Sequence, residues 1–299
     1  MMLKKFKCVL IGDVNSTAVA LDVLYQNCAT DVEAVISTSN NAYNSDAVDL
    51  LRMAAEKGVK GFDIDNIDFD VAKWLIDNDI DFIFVIGFSR LVSKSIIKAA
   101  KIAAIGFHPS LLPQNRGRHP IIWAIAMGLK ETGSTFFLLE ETVDSGAILN
   151  QMRIKITEKD NATTIYNKVL ELIPAQLVTI INNFRMDKYQ LWEQNEKEAN
   201  VLRKRSWKDG LIDWRMSTHN IVNLVRSLTA PYPGAQFCIN GSYFTASSVL
   251  PFHGYIKENI EPGKVMDLST KGPLIKTGDG GVYLEDFHPN YDFKIGEYL

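Results

Sequence analysis

The sequence predicts an α/β chain: an open parallel sheet covered by helices on both faces, followed by a small barrel of short strands. Three observations carry this. Through the first part of the chain, strand-length apolar runs alternate with segments of helical spacing, the pattern of parallel sheets whose crossovers are helices. The opening run FKCVLIG ends at Gly12 and passes into NSTAVALDVLYQ, a strand, turn and helix. Beyond Asp187 the texture turns polar and charged, then becomes short strands with Gly turns, as in small barrels.

Taken in order, FKCVLIG is the first strand and NSTAVALDVLYQ the first helix, with Asn15 or Ser16 as its N-cap. DVEAVIST reads as a second strand, SDAVDLLRMAAEKG as a helix closed by Gly58, and NIDFDVAKWLIDND as a helix before the strand IDFIFVIG. KSIIKAA is a short helix, and IAAIGFHPS a strand entering a loop dense in Pro, Gly, His and Arg. After STFFLLEE and AILNQMRIKI comes the long amphipathic helix NATTIYNKVLELIPAQLVTIINNF, which Pro174 is expected to kink or divide. A further helix, STHNIVNLVRSLT, leads into AQFCIN, SYFTASSVL, GKVMDL, PLIKTG and GVYLEDF. The change of texture places a domain boundary near residue 200, giving domains 1–200 and 201–299.

The bulk composition narrows the function. The chain has 299 residues, 46% hydrophobic and 22% charged, with a formal net charge of -3. It can bury a full core, and it has no global basic field to recruit nucleic acid. Cys8, Cys28 and Cys238 are far apart and lack metal-ligand spacing, so reduced packing thiols in a cytoplasmic protein and no metal are expected. The N-terminal apolar run is too short for a signal peptide, and no run approaches the length of a membrane span.

In open parallel sheets, ligands sit beyond the carboxyl ends of the strands, where IGDVNS, VIGFSR and GFHPSLLP fall. His108 ends a strand, and Pro109 keeps it out of the helical region. A framed imidazole there can donate to a developing oxyanion or shuttle a proton. It can equally be satisfied locally by backbone groups. Asp144 opens a DSG turn after an apolar strand; it is either the carboxylate partner of the histidine or an Asx-turn residue. IGDVNS lacks GxGxxG, so no dinucleotide cofactor is expected.

HPSLLPQNRGRHPIIWA, KETGSTFFLLEETVDSGAIL and SWKDGLIDWRMSTHNIVNLVRSLTAPYPGAQF, in that order, resemble the folate-dependent formyltransferases. The resemblance implies a Rossmann-like catalytic domain, an OB-like C-terminal domain, and formyl transfer from the co-substrate 10-formyltetrahydrofolate to an amine. His108 and Asp144 match the family's catalytic histidine and aspartate. Ile86, Gly87, Phe88, Ser89 and Leu91, with Leu139, Glu140, Glu141, Val143 and Asp144, would line the pterin slot. The family's usual Asn-x-His-x-Ser is here Gly106-Phe107-His108-Pro109-Ser110. The missing amide is a donor to the formyl oxygen, and Asn115, Ser110 or an ordered water in the space left by glycine are candidates to replace it.

Two branches of that family fit the length: enzymes formylating nucleotide-linked amino sugars, on the way to a surface polysaccharide or glycan, and methionyl-tRNA formyltransferases. The tRNA branch typically has a basic insertion after the second strand. Here Ser37–Leu51 contains no Lys or Arg, and Arg203–Leu299 carries 11 Lys+Arg against 10 Asp+Glu. Phosphate contacts dominate nucleic-acid affinity, so a nucleotide-sugar substrate is expected, with no nucleic acid and no membrane partner. Arg116 and Arg118 are the expected fork for sugar hydroxyls or a pyrophosphate, with Asn15 and Ser110 nearby. The sequence leaves two further matters open: a homodimer through the C-terminal domain, and a non-catalytic folate-binding homologue.

Overall fold

The strands of the N-terminal part alternate in register with what covers them. The computed structural model describes residues 5–40 and 46–299. Its elements begin β1 (Phe6–Ile11), α1 (Asn15–Gln26), β2 (Thr30–Ser37), α2 (Leu50–Glu56), β3 (Lys60–Asp63), α3 (Val71–Asp77), β4 (Phe82–Val85), α4 (Lys94–Ala99) and β5 (Ala103–His108). They continue β6 (Arg116–Gly117), α5 (Pro120–Ala126), β7 (Glu131–Leu138), β8 (Ile148–Lys155), α6 (Ala162–Arg185), β9 (Val201–Leu202) and α7 (Thr218–Ser227). Five strands close the chain: β10 (Ala235–Ile239), β11 (Ser242–Pro251), β12 (Val265–Ser269), β13 (Gly272–Lys276) and β14 (Gly281–His288).

These elements form two compact units, one comprising Met1–Gly117, Thr132–Ile154 and Asn167–Leu202 and the other Arg118–Glu131, Lys155–Tyr166 and Arg203–Leu299. The first holds a seven-stranded sheet in the order β3-β2-β1-β4-β5-β7-β8. From β3 to β5 the neighbours are parallel, and β7 runs antiparallel to β5. Cys8 and Leu10 of β1 face a core shared with Leu21 and Leu24 of α1 and Leu177 and Ile180 of α6. Val9 and Ile11 face the opposite core, with Leu75 of α3 and Ala99 of α4. Successive residues of a strand point to opposite faces, which is why these strands read as unbroken apolar runs.

Three features depart from the sequence reading. β3 is a four-residue edge strand with exposed or half-buried side chains, so it carries no apolar signature. α6 runs unbroken through Pro174; Ile173 and Leu177, on either side of the proline, are buried in the core and offset the one lost backbone bond. The N-cap of α1 is Val14 rather than Asn15 or Ser16. Thr17 does the capping work: its hydroxyl accepts from Val14 N–H and donates to the Ile86 carbonyl at 2.6 Å. Part of the Ser37–Leu51 segment, residues 41–45, lies outside the described residues.

The second unit holds a five-stranded antiparallel sheet in the order β10-β11-β14-β13-β12. Its edges are covered separately, β10 by a bridge from Gln236 to Leu211 and β12 by the segment ending in Glu297 and Tyr298. Ile122 of α5 and Ile221, Leu224 and Val225 of α7 join Phe237, Ala246, Val282 and Leu284 in its core. Arg226 binds the carbonyls of Thr157 and Asp160 at 2.8 and 2.6 Å. No helix among the described residues is long and apolar enough to cross a membrane.

Candidate active site

β5 ends on His108, whose backbone stands opposite Thr135 of β7. The residue is 5% exposed. Nε2 lies 2.7 Å from the carbonyl oxygen of Asn115, an acceptor only, so Nε2 carries a proton and donates it. Nδ1 faces Asp144 Oδ2 at 3.6 Å, too long for a hydrogen bond and close enough for charge balance. Asp144 Oδ2 accepts instead from Gly117 N–H at 2.8 Å. One ring nitrogen is thus anchored on backbone, and the other points at a carboxylate without being committed to it. Such a ring can offer an N–H to a developing oxyanion while the carboxylate stabilises its cationic form.

The antiparallel strand explains how two distant loops meet. Thr135 is opposite His108, and Leu138 is opposite Ile105, so β7 leads away from the histidine. Leu139 continues outward, its N–H donating to the Ala104 carbonyl at 2.8 Å, so the chain turns back after it to bring Asp144 to His108. The Leu139 side chain reaches Gly106: a β-carbon at residue 106 would stand 2.7 Å from Leu139 Cδ2 and 2.8 Å from Phe137 Cζ. The space left by glycine is filled by these two side chains and holds no room for the water considered as a replacement donor. Of the two side chains named as replacement donors, Ser110 Oγ donates to the Gln114 carbonyl at 2.8 Å, whereas Asn115 Oδ1 accepts from Asn200 Nδ2 at 3.4 Å, a bond that uses its oxygen and not its NH2.

Lys94, the first residue of α4, forms an ion pair with Glu141 of the second loop named for the pterin, and holds the Glu141 carboxyl below its ordinary range. Ile86 is buried, and its backbone is tied to Ile11 and Thr17. Gly87 has φ +62, and a β-carbon there would meet Val14 Cγ2 at 2.2 Å, so only glycine fits. Phe88 packs against the core, Ser89 is half-buried and Glu140 is exposed. Leu91 and Val143 are exposed at 81% and 46%, one apolar side chain on each loop.

The expected substrate fork is not assembled as the sequence reading had it. Arg116 is buried, with its guanidinium bound to Gln194 Oε1 at 3.1 and 2.8 Å and to Glu196 at 3.0 and 2.6 Å. Arg118 is exposed and belongs to the second unit. Asn15 is the exposed first residue of α1. In the second unit, burial, then Arg205, Arg118 and Lys204, push the His119 imidazole below its ordinary range. Gln194 and Asn200, which hold the site together, sit in a stretch whose composition reads only as polar connection. No local signal marks them.

Residues 8–181 match the formyl transferase family and residues 204–291 the formyl transferase C-terminal domain. The chain is 29% identical over 283 residues to methionyl-tRNA formyltransferase of Halothermothrix orenii, covering 92% of this chain and 89% of that protein. It is 34% identical over 200 residues to the bifunctional polymyxin resistance protein ArnA of Wigglesworthia glossinidia brevipalpis, spanning 65% of this chain and only 29% of that protein. Among solved structures, the N-formyltransferase from Helicobacter canadensis in complex with folinic acid and dTDP-3-aminofucose superposes with a TM-score of 0.68. That match is 20% identical and covers 93% of this chain and 97% of the other. With its N-terminal match spanning over half the sequence, the chain belongs to the formyl transferase family.

Proposed function

We propose that this protein transfers the formyl group of 10-formyltetrahydrofolate to the amino group of a nucleotide-linked amino sugar. The observation that carries the chemistry is the His108 ring, fixed through Nε2 on the Asn115 carbonyl, with Nδ1 turned toward Asp144. The neutral amine attacks the formyl carbon, and the bond from that carbon to the folate N10 breaks. A proton leaves the amine nitrogen and one reaches N10, so the exchange balances. The His108 Nδ1–H donates to the formyl oxygen as it gains charge, and Asp144 stabilises the ring and passes protons. The exposed Leu91 and Val143, one on each loop, suit the flat ring of a pterin.

The small substrate is supported by the near-neutral charge of Arg203–Leu299 and the absence of Lys and Arg from Ser37–Leu51. It is also supported by the fold shared with an N-formyltransferase solved with dTDP-3-aminofucose. Methionyl-tRNA is the second reading, favoured by the near-full-length match to a methionyl-tRNA formyltransferase. Incubation with 10-formyltetrahydrofolate and a panel of UDP-, dTDP- and GDP-linked 3- and 4-amino sugars, beside methionyl-tRNA, tests both. A formylated sugar nucleotide in the mass spectrum is expected. Transfer to tRNA alone overturns the sugar reading, and no transfer to any amine overturns both.

A further inference from the structure

Asn115 and Asp144 both have left-handed backbone, at φ 62 and φ 55, a conformation that residues with a β-carbon hold only with support from their surroundings. Both supports come from one segment. Residues 192–202 are pinned at each end, by paired backbone bonds of 2.8 and 3.0 Å between Ile148 and Trp192 and by β9 pairing with β6. Between the pins, Gln194 Nε2 donates to the carbonyls of Asp144 and Gly146 at 2.8 and 2.7 Å. Its Oε1 accepts from Arg116, so every donor and acceptor of the amide is used. Asn200 Oδ1 accepts from Asn115 N–H at 2.8 Å.

We propose that Gln194 is a positioning residue for the reaction, holding the turn that aims Asp144 at His108, with Asn200 doing the same for the Asn115 carbonyl that anchors His108 Nε2. One strap therefore holds both members of the pair through two side-chain amides. Arg116, buried and clamped between Gln194 and Glu196, orients the Gln194 amide so that its NH2 faces the two carbonyls. Gln194→Glu preserves the acceptor for Arg116 and turns a second acceptor toward those carbonyls. The variant therefore separates donation to the Asp144 turn from simple anchoring of Arg116.

The kinetic arm of the test rests on the formyl-transfer reading; the spectroscopic arm does not. In both Gln194→Ala and Gln194→Glu, kcat is expected to fall about tenfold or more while KM for donor and amine stays within about threefold. Without substrate, the ring 15N signals of His108 are expected to move at Nδ1 in the Gln194 variants and at Nε2 in Asn200→Ala. A wild-type kcat in Gln194→Glu overturns the proposal, as does a loss carried by KM alone or unmoved ring signals. If Gln194→Ala does not fold, Gln194→Glu and Asn200→Ala decide it. If the wild type formylates no amine, the functional reading falls, and the ring signals still decide the positioning.

Discussion

Phe137 stands directly across the β5–β7 pair from Gly106, with its ring atoms 2.8 and 3.0 Å from where a β-carbon of residue 106 would lie. The glycine and the aromatic ring are a matched pair, the ring covering backbone that has no side chain of its own. Gly106→Asn alone is therefore expected to destabilise by about 1–3 kcal/mol through overpacking and to leave turnover no higher. Phe137→Ala alone is expected to cost about 3–5 kcal/mol. Urea unfolding of the double variant should show less than the sum of the two losses; strict additivity would mean that the residues do not share the space.

Replacing either member of the proposed catalytic pair, His108 or Asp144, should spare the fold. His108→Ala is expected to lower turnover by about two to four orders of magnitude, and Asp144→Asn by about two or more. Melting temperatures are expected to fall by only a few degrees, the cost in His108→Ala of the lost Nε2 bond to the Asn115 carbonyl, while Asp144→Asn keeps an acceptor for the Gly117 N–H. Near-normal turnover in either variant would place the chemistry elsewhere.

The start of the C-terminal segment should show an acid-dependent contribution to stability. Hydrogen bonds from the forked Arg203 guanidinium at 2.5 and 2.8 Å, then from Ser206 N–H at 2.7 Å, hold the Asp209 carboxyl well below the usual range. With the folded-state value depressed, the stabilisation is present above the unfolded value of about 3.9 and is lost as pH falls through the folded one. The melting-temperature gap between wild type and Asp209→Asn should be steady from about pH 7 to pH 5 and shrink below about pH 4. A gap independent of pH would refute this.

The three cysteines should separate by reactivity. Cys28 and Cys238 are exposed, whereas burial, then the charges of Asp81 and Asp31, push the Cys8 thiol far above its ordinary range. Brief alkylation of the native protein should label Cys28 and Cys238, with Cys8 labelled only after unfolding. Peptide mass mapping checks this, and native labelling of Cys8 would contradict its place in the core.

What was legible in the sequence is what two-sided burial writes into it. β1, β2, β4 and β5 announce themselves because each side of the strand meets a core, and the α1 boundaries follow from spacing. β3 stayed silent because an exposed edge strand needs no apolar run, and α6 is not divided at Pro174 because tertiary packing on both sides outweighs a local break. At the site, His108 and Asp144 stand out through loop chemistry and the resemblance, and the structure brings them to 3.6 Å. Gln194 and Asn200 act across separations of 50 and 85 residues. Single amides bonded to distant backbone leave no periodic trace.

The second unit is not a contiguous tail. Residues 118–131 and 155–166 belong to it, with Ile122 in its core and the carbonyls of Thr157 and Asp160 bound by Arg226. A chain cut after Leu202 would keep those two segments and lose the α7 and sheet partners of Ile122 and the Arg226 anchor, baring apolar surface that invites aggregation. Recombination among relatives faces the same constraint: a single crossover near residue 200 imports a foreign partner for α5, whereas an exchange that also carries the two embedded segments moves a self-consistent module.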